Sequence, residues 1–222
     1  MKTRLLIWVT SDCNLDCKWC SQKYTRQQFS GYHMSMNEVR LLAISLKERN
    51  IYIDTIELTG GEPSLWNNLE EGCFVLKKVC DKLTLVTNGN NPQRVIDLKL
   101  PYYMVSKSQA TPKQLKKHML NANTLVVNHS HKELPKTAME DSLPAECCVK
   151  HDQFGHRQNN LLYIKGNVYY CCNAFALTEK TGLSKDIFIS FQDDFITYFK
   201  DKDFNQSICS YCICNSRIWR RL

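Results

Sequence analysis

Three of this chain's twelve cysteines stand as Cys13-x3-Cys17-x2-Cys20, directly after an apolar run over residues 4–9, and that triplet constrains the fold more than any other feature. A chain that keeps its thiols reduced does not use them as a disulfide framework, so clustered cysteines point to metal. Three thiolates from one short loop can grip three corners of a cubane cluster, and soft sulfur selects iron–sulfur or zinc. Three local ligands leave one iron open, which is what chemistry on a cofactor or substrate requires. The competing reading is a zinc knuckle completed by a fourth ligand such as His33.

No run of about 18 uncharged apolar residues occurs, and Met1 to Val9 has too short an apolar core for a signal peptide. The expectation is a soluble, cytoplasmic protein with no membrane partner. An apolar content of 43% suffices for a packed core. The net charge of +7 is dispersed, which favours a solvated surface over a nucleic-acid stripe. The tail Arg217-Ile218-Trp219-Arg220-Arg221-Leu222 is the one tight basic cluster with an aromatic.

Apolar periodicity divides the chain. Residues 4–9 read as a buried strand with the cysteine triplet in the loop that follows. Ser35 and Glu38 form an S-x-x-E capping box ahead of Val39, Leu42, Ala43 and Leu46, one buried helical face. A second strand, Ile51 to Leu58, runs into Thr59-Gly60-Gly61-Glu62-Pro63. A helix from Leu69 to Cys80 follows, with Cys73 and Cys80 on its apolar face as core thiols. Leu83 to Thr87, Tyr102 to Ser106 and Leu125 to Val127 read as further strands, and Thr111-Pro112 opens a helix. This alternation predicts a parallel α/β sheet with its reactive loops at the carboxyl ends of the strands.

After about residue 135 the pattern changes. Leu161 to Lys165 and Val168 to Tyr170 flank Gly166-Asn167, a hairpin signal with a Gly-first turn. Seven cysteines crowd residues 147–214. The expected organisation is a core over 1–135 and a small metal-stabilised domain over 136–222.

The triplet, with Trp19 just before its last cysteine and Gly60-Gly61-Glu62 at the next strand end, resembles the signature of the radical S-adenosylmethionine (SAM) superfamily. The resemblance implies a partial (β/α)6-type barrel, here shortened and open. It implies a [4Fe–4S] cluster on Cys13, Cys17 and Cys20 whose open iron chelates SAM, and an electron donor such as flavodoxin or ferredoxin. Reductive cleavage of SAM would then yield a 5′-deoxyadenosyl radical that abstracts hydrogen from substrate. Trp19 would meet the adenine through its backbone. Gly60 and Gly61 would let the strand approach the methionyl amino group, and Glu62 would help hold it. Thr87 and Asn88 stand where the third strand end lines the SAM pocket, and Ser106 or Ser108 where a ribose contact is found. The family's glycine-rich stretch after the fifth strand is not visible in Asn128-His129-Ser130-His131.

Gly166-x4-Cys171, with Cys147-Cys148 before it and Cys209-x2-Cys212-x-Cys214 after it, resembles the SPASM and twitch extensions that hold auxiliary [4Fe–4S] clusters. One closed cluster needs four ligands. Cys171, Cys209 and Cys212 with Cys148 are taken as the set, with Cys147, Cys172 and Cys214 as open alternatives, and a structural zinc as the competing occupant. The implied substrate is a peptide or small polar metabolite. Modification of a nucleoside or nucleic acid is the second enzymatic reading, and a non-catalytic iron–sulfur or zinc module the reading from another class. No peptide-recognition domain is expected before residue 4, so leader binding would need a separate partner or a sheet edge.

Overall fold

The computed structural model describes residues 2–16, 22–100, 102–106, 125–127, 158–169, 175 and 188–200. Strand β1, Lys2–Thr10, lies at the centre of the sheet. Leu5, Ile7, Trp8 and Val9 have no exposed surface, because neighbouring strands flank β1 and both of its faces are covered. A strand buried on both faces reads as a continuous apolar run, which is why residues 4–9 lack alternation. β2, Thr55–Gly60, β3, Lys82–Thr87, β4, Tyr102–Ser106, and β5, Leu125–Val127, follow in order, each parallel to the one before.

Of the connecting helices, those at Met36–Glu48 and from Leu69 form where capping and periodicity predict, and two short ones were not anticipated. Helix α1 is Lys23–Gln28 and α2 is Met36–Glu48. The Ser35 hydroxyl accepts from the Glu38 amide at 3.2 Å, and the Glu38 carboxylate accepts from the Ser35 amide at 2.8 Å, completing the capping box. α2 buries Val39, Leu42, Ala43 and Leu46, the predicted face. A short 3-10 turn spans Pro63–Leu65, and α3, Leu69–Leu76, and α4, Pro92–Asp97, follow among the described residues.

Two elements differ from expectation. β2 begins at Thr55 rather than Ile51, since Ile51 donates its amide back to the Leu46 carbonyl and Ile53 is buried within the connection. α3 stops at Leu76, where Lys78 and Val79 bond to carbonyls three residues back and the Cys80 thiol donates to the Leu76 carbonyl at 3.3 Å. Burial pushes the Cys73 thiol up to about 12 and the Cys80 thiol up to about 11, which keeps both protonated.

The expected hairpin is present as β6, Gln158–Ile164, and β7, Asn167–Tyr169, with β8, Phe188–Ser190, beyond it. Its turn residues are Lys165 and Gly166, one position earlier than expected, and both have positive φ, 45° and 81°. That is the I′ pattern whose twist suits a hairpin. The Lys165 ammonium lies 5.0 Å from the Tyr32 ring centre and 5.4 Å from that of Phe29, contacts that offset the strain of a non-glycine residue there. The hairpin does not stand apart from the core, since β6 runs parallel along β1 from Lys2 to Ile7. The described strands form one sheet in the order β5-β4-β3-β2-β1-β6-β7-β8.

Aromatic contacts hold this carboxy-terminal part against the segment after the cysteine triplet. Phe175 packs on Phe29 at 4.9 Å, on Tyr169 at 5.7 Å and on Tyr24 at 6.5 Å. Helix α5, Phe195–Lys200, lies near the carboxyl end of α2. There the Arg49 guanidinium donates to the carbonyls of Phe191 and Asp193, and it lies 5.6 Å from the ring centres of both Phe191 and Phe195. Arg49→Ala removes charged donors and the stacking together and is expected to cost about 1.5–3 kcal/mol. Denaturant unfolding checks this, and Arg49→Lys should recover only part of the loss because the planar fork is missing.

Candidate functional site

Parallel strands in sequential order bring the carboxyl ends of β1, β2, β3 and β4 to one side of the sheet, where the sequence motifs meet. β1 runs into Ser11-Asp12-Cys13-Asn14, with Cys13 half-buried. Local bonds shape this loop. The Asp12 amide donates to Thr10 Oγ1 at 3.1 Å, and the Ser11 amide to the Tyr32 carbonyl at 2.9 Å. Arg26 of α1 reaches back, with Nε donating to the Ser11 carbonyl at 3.1 Å and Nη1 to that of Leu15 at 3.4 Å. His33 has both ring nitrogens engaged, Nε2 with Asp12 Oδ2 at 2.8 Å and Nδ1 with Thr10 Oγ1 at 3.3 Å. His33 thereby supports the loop.

The glycines of the second motif serve this loop. The Gly61 amide donates to the Thr10 carbonyl and the Glu62 amide to the Asp12 carbonyl, both at 2.7 Å. A Cβ on Gly60 would fall 2.2 Å from the Thr10 oxygen, and one on Gly61 would fall 2.1 Å from the Asp12 oxygen. Gly60 also has φ of 137°, a conformation that side chains rarely adopt. On the side where a Cβ would project, the two glycines meet the backbone at the end of β1 and at the start of the cysteine loop.

Glu62 is 1% exposed. Its Oε1 accepts from Thr87 Oγ1 at 2.7 Å and from the Ser64 amide at 3.0 Å, and its Oε2 accepts from the Asn88 amide at 2.6 Å. Thr87 is itself held by the Gly89 amide, which donates to its hydroxyl at 3.0 Å. The Asn88 side-chain amide then reaches the cysteine loop, donating to Asn14 Oδ1 at 2.8 Å. Among the described residues no cationic side chain pairs with Glu62. A buried carboxylate with hydrogen bonds and no counter-charge is costly unless a cation joins it, so the site fits a ligand that carries an ammonium group.

Gly60, Gly61, Glu62, Thr87 and Asn88 thus form one constellation with Cys13. Ser106 ends β4 on the same side of the sheet. Cys17, Trp19 and Cys20 lie outside the described residues, as do Ser108, Cys147, Cys148, Cys171, Cys172, Cys209, Cys212 and Cys214. Cys73 and Cys80 are unbridged, and among the described residues no three His, Cys, Asp or Glu side chains converge on a metal cage. Sequence reasoning missed Arg26, Asn14 and the role of His33. Their spacing from the cysteines carries no periodic signal, and only a basic residue on the helix after a cysteine loop could have drawn attention.

The family model of the radical SAM superfamily matches residues 7–124, just over half of the 222-residue chain. The chain belongs to the radical SAM superfamily. No curated protein matches its sequence. Among solved structures it resembles BtrN in complex with AdoMet and 2-DOIA, with 19% identity, a TM-score of 0.54, and coverage of 90% of this chain and 86% of that one. It also resembles BtrN in an open conformation, with 17% identity, a TM-score of 0.56, and coverage of 97% and 86%. SuiB of Streptococcus suis bound to the precursor peptide SuiA is similar at 11% identity and a TM-score of 0.55, covering 93% of this chain and 66% of that one. These likenesses share the fold, a mixed α/β sheet of the partial radical SAM type. Membership implies a [4Fe–4S] cluster and SAM, and SAM-dependent radical chemistry. No helix among the described residues is long and apolar enough to cross a membrane.

The Glu62 network yields a stability test in the apoprotein. Glu62→Gln keeps the shape but turns an acceptor into a donor facing either the Asn88 amide or the Ser64 amide and Thr87 hydroxyl. It should destabilise the fold by about 1–3 kcal/mol. Gly61→Ala, which drives a methyl into the Asp12 carbonyl, should cost about as much. Urea unfolding of both variants checks these values, and unchanged midpoints would show that the network does not hold the strand ends.

Proposed function

We propose that Cys13, Cys17 and Cys20 hold the [4Fe–4S] cluster, with SAM on its open iron, and that the enzyme modifies a peptide or a small polar metabolite. The observation that carries this reading is the buried Glu62 carboxylate beside the cysteine loop. A carboxylate offers about four acceptor positions, and three of Glu62's are filled by protein donors. The remaining one suits the SAM ammonium, which would also supply the missing positive charge through a charge-assisted bond. Thr87 and Asn88 keep that carboxylate aimed, so they act on SAM through Glu62. Trp19 would meet the adenine through its backbone, and Ser106 or Ser108 would supply a ribose contact.

When bound and reduced, the cluster supplies the electron that cleaves SAM to a 5′-deoxyadenosyl radical, which abstracts hydrogen from substrate. The protein's task is to orient SAM and exclude other hydrogen donors. Residues 136–222 are proposed as a twitch-like unit on the β6–β7 hairpin, with Cys148, Cys171, Cys209 and Cys212 holding an auxiliary [4Fe–4S] cluster. The likeness to BtrN with 2-DOIA supports a small metabolite, and that to SuiB with its precursor peptide supports a peptide. A flavodoxin or ferredoxin is the proposed reductant.

Anaerobic reconstitution should give two clusters, about eight irons per chain, and release of 5′-deoxyadenosine from SAM under reduction. The Cys13→Ala/Cys17→Ala/Cys20→Ala variant should keep about half the iron and release none. A colourless, zinc-loaded protein after anaerobic purification would overturn the proposal.

A further inference from the structure

Asn88 makes a contact that orienting Glu62 does not require. Its backbone amide is spent on Glu62 Oε2 at 2.6 Å, and its side-chain Oδ1 accepts from the Asn90 backbone amide at 2.9 Å. A backbone N–H can only donate, so this bond settles which end of the side-chain amide is oxygen. The NH2 group must therefore face the cysteine loop. There it meets Asn14 Oδ1 at 2.8 Å and Cys13 Sγ at 3.9 Å.

We infer that Asn88 is a positioning residue for the cluster: its side-chain amide donates an N–H···S hydrogen bond to the Cys13 thiolate and raises the reduction potential of the cluster bound there. The inference rests on the proposal that Cys13 is a ligand. A hydrogen bond to a ligating sulfur withdraws electron density and favours the reduced, more negative state of the cluster. The bond to Asn14, the residue after Cys13, uses the other N–H of the same group, while the Asn90 bond keeps the amide from turning over and so keeps the donor aimed at Cys13.

The test is an EPR-monitored redox titration of the reconstituted protein, following the cluster signal that changes when SAM is added. Asn88→Ala removes the donor but leaves the backbone bond to Glu62, and its midpoint should shift to more negative potential. Asn88→Asp keeps the acceptor for Asn90 but sets a negative charge beside the thiolate, and it should shift further in the same direction. Asn14→Ala removes the second acceptor and leaves both the donor and the Asn90 bond that aims it, so it should stay at the wild-type potential. Should Asn88→Ala fail to fold, the isosteric Asn88→Asp decides.

Wild-type potentials in both Asn88 variants at full iron content would overturn the inference. So would an Asn14→Ala shift as large as that of Asn88→Ala, since the effect would then be slack in the loop. Cys13→Ala separates the two levels. If it loses the SAM-responsive signal while the Asn88 variants do not shift, this inference alone falls. If it keeps that signal and full iron, the ligand assignment falls and the inference with it.

Discussion

A carboxylate with 1% of its surface exposed must find donors inside the protein, and Glu62 finds them on two segments: Ser64 just beyond it, and Thr87 and Asn88 at the end of the neighbouring strand. The backbone amide of Glu62 is at the same time fastened to Asp12 in the cysteine loop. One residue therefore joins the carboxyl ends of β1, β2 and β3. The geometry of the candidate site follows from that junction, because Cys13, Asn14 and Asn88 come together only when those three strand ends are in register. The two glycines before Glu62 are what allow the junction to close, since a methyl at either position would collide with a loop carbonyl.

The loop is braced from its other side as well. Arg26 binds two of its carbonyls and His33 holds Asp12 and Thr10, so the segment that precedes Cys17 is shaped by protein contacts on several sides. Such bracing by neighbours is what holds functional groups near a productive geometry. The aromatic packing of Phe175 against Tyr24 and Phe29 extends this support to the carboxy-terminal part of the chain.

How much of this was legible depended on the range of the interaction. β1, α2 with its capping box, and the hairpin are written in local periodicity and turn chemistry, and they appear where that reading puts them. The start of β2 was misread because Ile51 and Ile53 are apolar for packing and not for strand pairing. The turn was displaced by one residue because Lys165 takes a left-handed conformation that its sequence does not advertise, held by rings far away in the chain. The placement of β6 beside β1 is a pairing between residues more than 150 positions apart, which no window of sequence contains. At the site, Gly60, Gly61, Glu62 and Thr87 are recognisable from the sequence, whereas the contacts of the glycines with Thr10 and Asp12 and the bond from Thr87 to Glu62 are known only from the fold.

The strand order has a consequence for how the molecule behaves among its own copies. With β6, β7 and β8 on the flank of β1, the long strand that carries the apolar run Leu5–Val9 lies away from the margins of the described sheet. The outermost described strands are β5 and β8, each three residues long. An exposed strand edge invites another chain to continue the ladder, and very short edges are one of the ways proteins discourage it. The run Leu5-Leu6-Ile7-Trp8-Val9 combines β-forming residues without charge or proline, the composition of a self-associating segment. Fixed between β2 and β6 it has no free backbone to offer, so the topology that assembles the site also keeps the stickiest stretch of the chain from templating aggregation.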